Sequence, residues 1–399
     1  MALAELLDRY RRHPACLHFM SLLDNDRRKI HCTGLTGSSA ALLATVVMSA
    51  KAGLHLVMMT DKDEAAYFYN DLVNLSGSDK VLFFPSSFKR SAHYNQIDNG
   101  NIILRTNVIN RLGAASSSGE CLVIVTYPEG LSEKVITHKK LKKNTLQLIR
   151  GEKLPVEFIR EVMEEYRFSE VDFVYEPGQF SIRGSIVDIF SFSSPDPFRI
   201  DFFGDEVESI RTFDVETQLS KDKLEKISIL PNVQELTLED VSEPLTEYLE
   251  SSATLWIKDI RYCTDRLNDL YETLSERKES EDVVPLSTDQ MTTGRYLVSR
   301  IPDFNIVELG SRHFYSDSIA VSFNTAPQPA FNKNFNLLAD DLLRLTGEGY
   351  TNFILSDSEK QIERLTSIFH DINSSIRFTP LLRTLHDGFI DKDLMISAY

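Results

Sequence analysis

The chain has 399 residues, 42% of them hydrophobic and 10% aromatic, a composition that excludes fibrous and disordered proteins and predicts about two to four packed domains. Its formal net charge is −16, and so acidic a surface repels nucleic-acid phosphates unless basic residues are locally concentrated. The charge therefore disfavours tight DNA binding by the chain alone and favours a protein partner.

The first 126 residues alternate short apolar strands with helices. The pattern predicts strands near residues 29–32, 55–60, 81–84 and 121–126, and helices near residues 38–52, 61–75 and 102–112. Strands that are apolar along their whole length and separated by helices are typical of a parallel sheet covered on both faces. This part is therefore predicted to be an α/β domain.

The pattern changes after Tyr127-Pro128. Pro155 opens a predicted helix with one apolar stripe. Predicted strands follow in close succession at residues 171–175, 179–182, 185–192, 198–203 and 206–213. Closely spaced strands joined by Gly and Pro turns indicate antiparallel hairpins, so residues 127–213 are predicted to form a small α+β unit inserted in the chain.

The signals are weaker between Val215 and about Ala326, where a buried strand is predicted at residues 255–258 and a helix at residues 265–279. Residues 324–336, rich in Asn and Pro, are predicted to be a linker. A last α/β unit follows, with a helix at 337–345, a strand at 352–355 and a helix at 358–372. The final apolar run, Leu394–Tyr399, suggests a strand and a longer parent chain.

Neither a disulfide framework nor a membrane segment is predicted. The spacing of the cysteines fits neither a paired-cysteine zinc site nor dense disulfides, so buried free thiols in a reducing cytosol are expected at Cys16, Cys32, Cys121 and Cys263. The N-terminal segment is an amphipathic helix that contains acids, unlike a signal peptide, and no apolar run approaches the ~20 residues that span a bilayer. A cytoplasmic protein is expected.

One segment, Thr33–Ala41 (TGLTGSSAA), lies between a predicted strand and a predicted helix, where a phosphate-binding loop belongs. A working loop reads G-x-x-x-x-G-K-[ST], in which the lysine reaches the terminal phosphates and the hydroxyl holds magnesium. Gly34 occupies the first glycine position. Ser39 replaces the second glycine, Ala40 the lysine and Ala41 the hydroxyl residue, so the cation and the metal ligand are both missing.

Two interpretations of this loop remain open. Gly34 and Gly37 make only a tight strand-to-helix turn, or weak nucleotide binding persists because helix N-termini attract anions. The matching acidic pair would lie at the end of a later strand, where Asp259 is present but Ile260 replaces the glutamate. Two defects in one site argue against ATP hydrolysis, and no catalytic residue is predicted.

Other motifs are weak. Nine histidines are scattered along the chain, and no metal site or cofactor is predicted. A run of lysines is interpreted as a solvated connection or strand edge; it comprises Lys139, Lys140, Lys142 and Lys143.

Two nearby stretches are far more specific. Residues 175–190 read YEPGQFSIRGSIVDIF, and residues 198–211 read FRIDFFGDEVESIR. They resemble the pattern EPGxFxxRGxIxDIFP…RIxxFGDEIxSIRxFD, which is shared by UvrB, a component of the excinuclease ABC complex, and the bacterial transcription-repair coupling factors. The continuation Phe213–Gln218, and the later stretches Pro327–Phe331 and Gln361–Arg364, resemble the coupling factors.

Two departures from UvrB favour the coupling factors. The phosphate loop is broken, and the stretch after Phe84 has only Tyr94 in place of a long tyrosine-rich hairpin. The resemblance implies an N-terminal region built as a degenerate, helicase-like copy of UvrB. Its parts are domain 1a (1–126, degenerate P-loop α/β), domain 2 (127–213, inserted α+β), domain 1b (214–326) and domain 3 (327–399, small α/β, apparently truncated).

The resemblance also implies a function. Domain 2 of both families binds UvrA, another component of excinuclease ABC, which is thereby recruited to RNA polymerase stalled at a DNA lesion. The complete family protein is an ATP-dependent DNA translocase whose motor, which uses ATP and Mg²⁺, lies farther toward the C-terminus. This chain is therefore expected to be a non-catalytic platform that needs no cofactor.

Three residues are predicted to bind UvrA. Arg183 sits at a hairpin turn and suits bidentate pairing with a partner carboxylate; Arg167 could share its face, and Phe180 could anchor the patch. The alternative is that Phe180 is core and Arg183 a solvated turn residue. Charge reversal at Arg183 is expected to abolish binding while leaving the fold intact.

Two other functions remain open. One is an active ATP-dependent helicase or nucleotide-binding component of excision repair, which the alanine at position 40 disfavours. The other is a DNA-binding accessory domain, which tight and salt-sensitive DNA binding would favour.

Overall fold

A parallel sheet of seven strands forms the centre of the computed structural model, which describes residues 2–24, 27–88, 98–118, 121–239, 242–276 and 286–399. In order across the sheet, the strands are Ile319–Ser322, Lys29–Thr33, Asn305–Leu309, Thr254–Lys258, Leu54–Met58, Leu122–Thr126 and Val81–Phe84. The first 126 residues and residues 254–322 therefore build one sheet together, and the expected mixed α/β class is confirmed.

Helices cover both faces of this sheet. Val57 contacts one apolar core, whereas Leu56 and Met58 contact the other, because successive side chains of a strand point to opposite faces. The helices and helical turns of this part are Ala2–Arg11, Pro14–Leu22, Ser39–Ala50, Lys62–Ser76, Ser78–Lys80, Asn99–Ser118, Pro128–Ser132, Val233–Glu239, Leu245–Tyr248, Ile260–Ser275, Thr288–Gln290, Gly294–Arg300 and Ile301–Asp303. Among the described residues, no helix has the length and apolar character needed to cross a membrane.

A six-stranded sheet lies within the segment between these two parts. Its strands, in spatial order, are Ser220–Leu224, Glu206–Phe213, Phe198–Phe203, Ile186–Phe190, Gln179–Arg183 and Ser169–Glu170, all antiparallel except the last pair. The helix Val156–Glu165 packs on this sheet through Ile159 and Met163, as its apolar stripe predicts. The edge strand of this sheet, Ser220–Leu224, lies beyond residue 213. The boundary of the inserted unit at residue 213 stays a prediction.

Two short ladders and a small helix connect this unit to the central sheet. The ladders pair Leu146–Ile149 with Lys226–Ile229, and Val135–Ile136 with Ser242–Glu243. The small helix is His138–Lys143.

A third sheet contains five strands, in the order Thr325–Pro327, Phe389–Asp391, Ile396–Ala398, Thr351–Leu355 and Thr379–Leu381. The helices Phe335–Gly347 and Glu359–Ile372 accompany it. The sheet rests on the N-terminal helix, where the Tyr10 and Phe389 rings meet edge to face at 6.3 Å and Arg9 Nη1 donates to Thr351 Oγ1 at 3.0 Å. The C-terminal sheet is therefore held against the first part of the chain.

Two predicted elements are wrong. Residues 171–175 do not form a strand, because the Tyr175 N–H bonds to the side-chain oxygen of Gln179 at 2.9 Å. Residues 324–336 are not only a linker, because Thr325–Pro327 pairs with Phe389–Asp391. Asp61 precedes the helix Lys62–Ser76 and caps it, since Asp61 Oδ1 accepts from the Glu64 N–H at 2.9 Å. The four cysteines are free, and Cys121 alone among them is only half-buried.

One buried histidine ties two neighbouring strands together. Trp256 Nε1 donates to His55 Nδ1 at 3.3 Å, so the imidazole proton lies on Nε2, which reaches Lys51 O at 3.1 Å. Burial lowers the pKa of His55 from 6.5 to about 4. The folded chain therefore holds this imidazole neutral over a pH range in which the unfolded chain binds a proton.

Acid should destabilise the fold through this residue. As the pH falls from 6.5 to 4, His55 binds a proton in the unfolded chain but not in the folded chain. This difference lowers the free energy of unfolding by up to about 3 kcal/mol. In His55→Gln this component should vanish. Urea unfolding of both proteins across this pH range measures it, and parallel pH curves would contradict the assignment.

Candidate functional site

The loop after the strand Lys29–Thr33 uses its own polar groups internally. The Thr36 N–H donates to Ser39 Oγ at 3.0 Å and to Thr325 Oγ1 at 2.8 Å, and Ser39 Oγ donates to Thr36 O at 2.7 Å. Gly34 has a φ of +73°, and a Cβ there would lie 1.8 Å from Phe323 O. The close approach of the Phe323 backbone therefore requires a glycine at position 34. The Thr36 N–H is already used by hydrogen bonds within the chain.

Residues 384–388, a segment of the C-terminal sheet region, lie on the start of the helix Ser39–Ala50. The Ser38 N–H donates to Asp387 O at 3.1 Å, and the Asp387 N–H donates to Ser38 Oγ at 3.1 Å. Gly37 has a φ of +53°, and a Cβ there would lie 2.6 Å from Gly388 O. The Asp387 carbonyl thus accepts from the Ser38 N–H, an amide that would have to donate to a phosphate oxygen in a phosphate-binding loop.

Side chains of the helix Lys62–Ser76 hold the same segment. The His386 N–H donates to Asp71 Oδ1 at 2.8 Å, and the rings of Tyr67 and His386 stack with centroids 3.4 Å apart. Asn74 Nδ2 donates to Thr384 O at 3.0 Å. Burial raises the pKa of Asp71, against which hydrogen bonds from Ser38 and His386 act.

The residues in place of the lysine and the hydroxyl are apolar and packed. Ala41 is buried, and Ala40 contacts the same core. Asp259, the predicted acidic partner, instead caps the helix Ile260–Ser275 by accepting from the Tyr262 N–H at 3.1 Å. Ile260 is buried in the other core. Neither the loop nor Asp259 presents the cation or the free carboxylate that phosphate chemistry uses.

The arrangement nearest to a metal site in the described part of the chain joins His13, Asp391 and Asp393. His13 Nε2 lies 3.9 Å from Asp391 Oδ1 and 3.7 Å from Asp393 Oδ2. However, His13 Nδ1 accepts from the Ala15 N–H at 3.0 Å, so the proton of the neutral ring lies on Nε2. That nitrogen is a donor and offers no lone pair to a metal.

Arg183 is half-buried and bonded within its own unit. Its Nη2 donates to Asp188 Oδ2 at 2.6 Å, and its Nη1 donates to Asp172 O at 2.6 Å. Asp188 is fully buried and also accepts two bonds from Arg199, at 2.7 and 2.8 Å. Charge reversal at Arg183 would place a second carboxylate beside Asp188. This geometry does not support the expectation that the change leaves the fold intact.

The other two predicted contact residues lie elsewhere. Phe180 is 1% exposed and belongs to the core of the six-stranded sheet, which corrects its prediction as a surface anchor. Arg167 is exposed but precedes Ser169, which pairs with Gln179 at the far end of the strand from Arg183. At about 3.3 Å per residue, the two ends of that strand are ~13 Å apart, so the two arginines do not form one compact cluster.

Sequence reasoning missed an exposed aromatic side chain that lies against Arg183, and a second one two residues farther along the chain. Phe173 and Tyr175 are 51% and 57% exposed, and the Arg183 guanidinium lies 4.8 Å from the centroid of the Phe173 ring. An arginine stacked on an exposed aromatic ring is a usual energetic centre of protein interfaces. The signal in the sequence is a pair of aromatics flanking Val174, which is buried. The predicted absence of a hairpin after Phe84 rests on residues 89–97, which lie outside the described residues.

Comparison with known proteins shows which proteins this chain resembles. Residues 146–234 match the sequence model of the UvrB interaction domain. The transcription-repair-coupling factor of Haemophilus influenzae is 38% identical over 195 residues, which cover 48% of this chain and 16% of the relative. That of Escherichia coli is 25% identical over 198 residues, covering 49% of this chain and 17% of the relative.

The coupling factor of Bacillus subtilis is 22% identical over 422 aligned positions, covering 89% of this chain and 35% of the relative. The predicted resemblance is confirmed: this chain is similar to transcription-repair-coupling factors and contains a match to the UvrB interaction domain. The matched region spans at most 35% of the length of these relatives.

Restoring a cation to the loop should not restore nucleotide chemistry. In Ala40→Lys we expect no ATP turnover and no Mg-ATP binding, because the Ser38 N–H stays bonded to Asp387 O and no hydroxyl replaces Ala41. Phosphate release and calorimetry measure this. Ala50→Lys, at the other end of the same helix, is the matched control, and turnover specific to the Ala40 variant would refute the expectation.

Proposed function

We propose that this chain is a non-catalytic platform in transcription-coupled nucleotide excision repair, and that it recruits UvrA of the excinuclease ABC complex. The observation that carries the proposal is the UvrB interaction domain match over residues 146–234, which contains Arg183 and Phe173. Relatives named transcription-repair-coupling factors support the same pathway. The degenerate loop and the packed alanines favour a scaffold over an ATPase.

The surface that receives UvrA is centred on Arg183 and Phe173. The exposed Phe173 ring offers apolar area, and the guanidinium offers donors to a partner carboxylate. The bond from Arg183 to buried Asp188 fixes the orientation of the guanidinium before a partner arrives. A preorganised side chain loses less conformational entropy on binding, which favours affinity.

The finer arrangement belongs to the same proposal. Residues 1–126 and 214–326 act as domains 1a and 1b of a degenerate, helicase-like unit, residues 127–213 as inserted domain 2 and residues 327–399 as domain 3. The seven-stranded sheet shared by residues 29–126 and 254–322 supports this division. In the complete protein, regions outside this chain would bind RNA polymerase and DNA and would drive ATP-dependent translocation.

Truncation at the centre of this surface tests the proposal. We expect Arg183→Ala to weaken binding of UvrA by about 2 kcal/mol, or roughly 30-fold, because the guanidinium is lost from the middle of the interface. Alanine is preferred to glutamate because it adds no charge beside Asp188. Isothermal titration calorimetry on the purified pair measures the affinity.

The control is Arg150→Ala, which removes an exposed arginine of the same unit that pairs with Glu225. It should leave the affinity unchanged. Since Arg199 still bonds to both oxygens of Asp188, Arg183→Ala should cost about 2 kcal/mol of stability and leave the chain folded, which urea unfolding checks. Equal affinities of the two variants would refute the proposed surface.

A further inference from the structure

The small helix His138–Lys143 presents a dense basic surface on an otherwise acidic chain. Leu141 is buried and lies near Gly113 of the helix Asn99–Ser118, which fixes the orientation of the small helix. Its exposed side chains include Lys139, Lys142 and Lys143. Among the residues that the structure describes, no ion pair engages these three ammonium groups.

This basic surface adjoins Arg167. Asn144 follows the helix directly, and its N–H donates to Lys140 O at 3.0 Å. Asn144, Tyr166 and Arg167 border one cavity of about 80 Å³, and Tyr166 hydrogen-bonds to the backbone of Leu146. The residue that directly follows the lysine helix and Arg167 therefore border the same cavity, although they lie on opposite sides of residue 146, where the UvrB interaction domain match begins.

The surroundings select the kind of partner. Glu165 and Glu235 border the same cavity, and the whole chain carries a net charge of −16. The six-residue helix is only about 9 Å long, so a DNA duplex lying on it would extend beyond the lysines onto a surface that carries Glu165 and Glu235. A discrete acidic patch on a folded protein can contact the lysines without meeting that surface.

We infer that Lys139, Lys142 and Lys143 form a second contact surface, next to the matched domain and apart from the surface around Arg183, that attracts an acidic patch of the repair partner. The inference rests on the proposed function, since it assigns these lysines to the binding of UvrA. Lysine is a strongly hydrated point charge on a flexible stem. Its contribution is therefore to long-range attraction and the association rate, whereas Arg183 and the Phe173 ring set the dissociation rate.

Stopped-flow association of UvrA with two triple variants tests this inference. The test variant is Lys139→Glu/Lys142→Glu/Lys143→Glu. The control, Lys333→Glu/Lys360→Glu/Lys392→Glu, makes the same change in net charge at exposed lysines of the C-terminal region. We expect the association rate of the test variant to be about 10-fold below that of the control at low salt, with the difference shrinking as salt rises.

The remaining readouts separate the outcomes. The dissociation rate of the triple Glu variant should stay within about twofold of that of the unmodified chain. A triple Lys→Gln variant at the same positions should give an intermediate association rate, which distinguishes loss of charge from a folding defect. Equal association rates for the test and control variants would overturn the inference while leaving the proposed function standing. If the test variant lost DNA binding while its association with UvrA stayed unchanged, the lysines would be assigned to nucleic acid and the inference would be overturned. No binding of UvrA by the unmodified chain would overturn both.

Discussion

A buried carboxylate organises the surface on which the proposed function depends. Asp188 is inaccessible to solvent and accepts from both Arg183 and Arg199. An ionised carboxylate in such a place is tolerated only when charged donors satisfy it. Its hydrogen bonds raise the pKa of Arg199, so the Arg199 guanidinium stays charged. Arg183 reaches the surface as part of this network, with a fixed direction and an exposed ring beneath it.

The position at which a phosphate-binding loop would hold its phosphate is occupied here by another part of the chain. Its glycines still permit close approach, but what approaches is the backbone of Phe323, Asp387 and Gly388. The loop therefore joins the C-terminal sheet to the central sheet. Loss of the lysine and the hydroxyl residue leaves this role intact, because hydrogen bonds from Thr36 and Ser38 need neither of them.

The sequence predicted local elements well because their causes are local. Asp61 caps a helix, Pro155 precedes one, and strands that are apolar throughout form a parallel sheet. The pairing of Ser38 with Asp387 could not be predicted, since the two residues are 349 positions apart and no periodicity links them.

The error at Phe180 has a simple physical cause. Phe180 and Arg183 are three residues apart on one strand, so strand geometry places their side chains on opposite faces. Arg183 shares its face with Ser181, which lies opposite Asp188, whereas Phe180 faces the core. Phe173 and Tyr175 escaped prediction because a strand was expected at 171–175. The backbone there instead bonds to the side chains of Gln179, Ser181 and Arg183.

The shared central sheet has a mechanical consequence. The chain leaves this sheet after Thr126 and re-enters it at Thr254, so the six-stranded unit is tethered at two points. A single tether allows free swivelling, whereas two tethers restrict rotation and share any tension. A partner that pulls on the surface around Arg183 therefore loads two strands of the central sheet at once, and the torque it exerts is passed to the body of the protein.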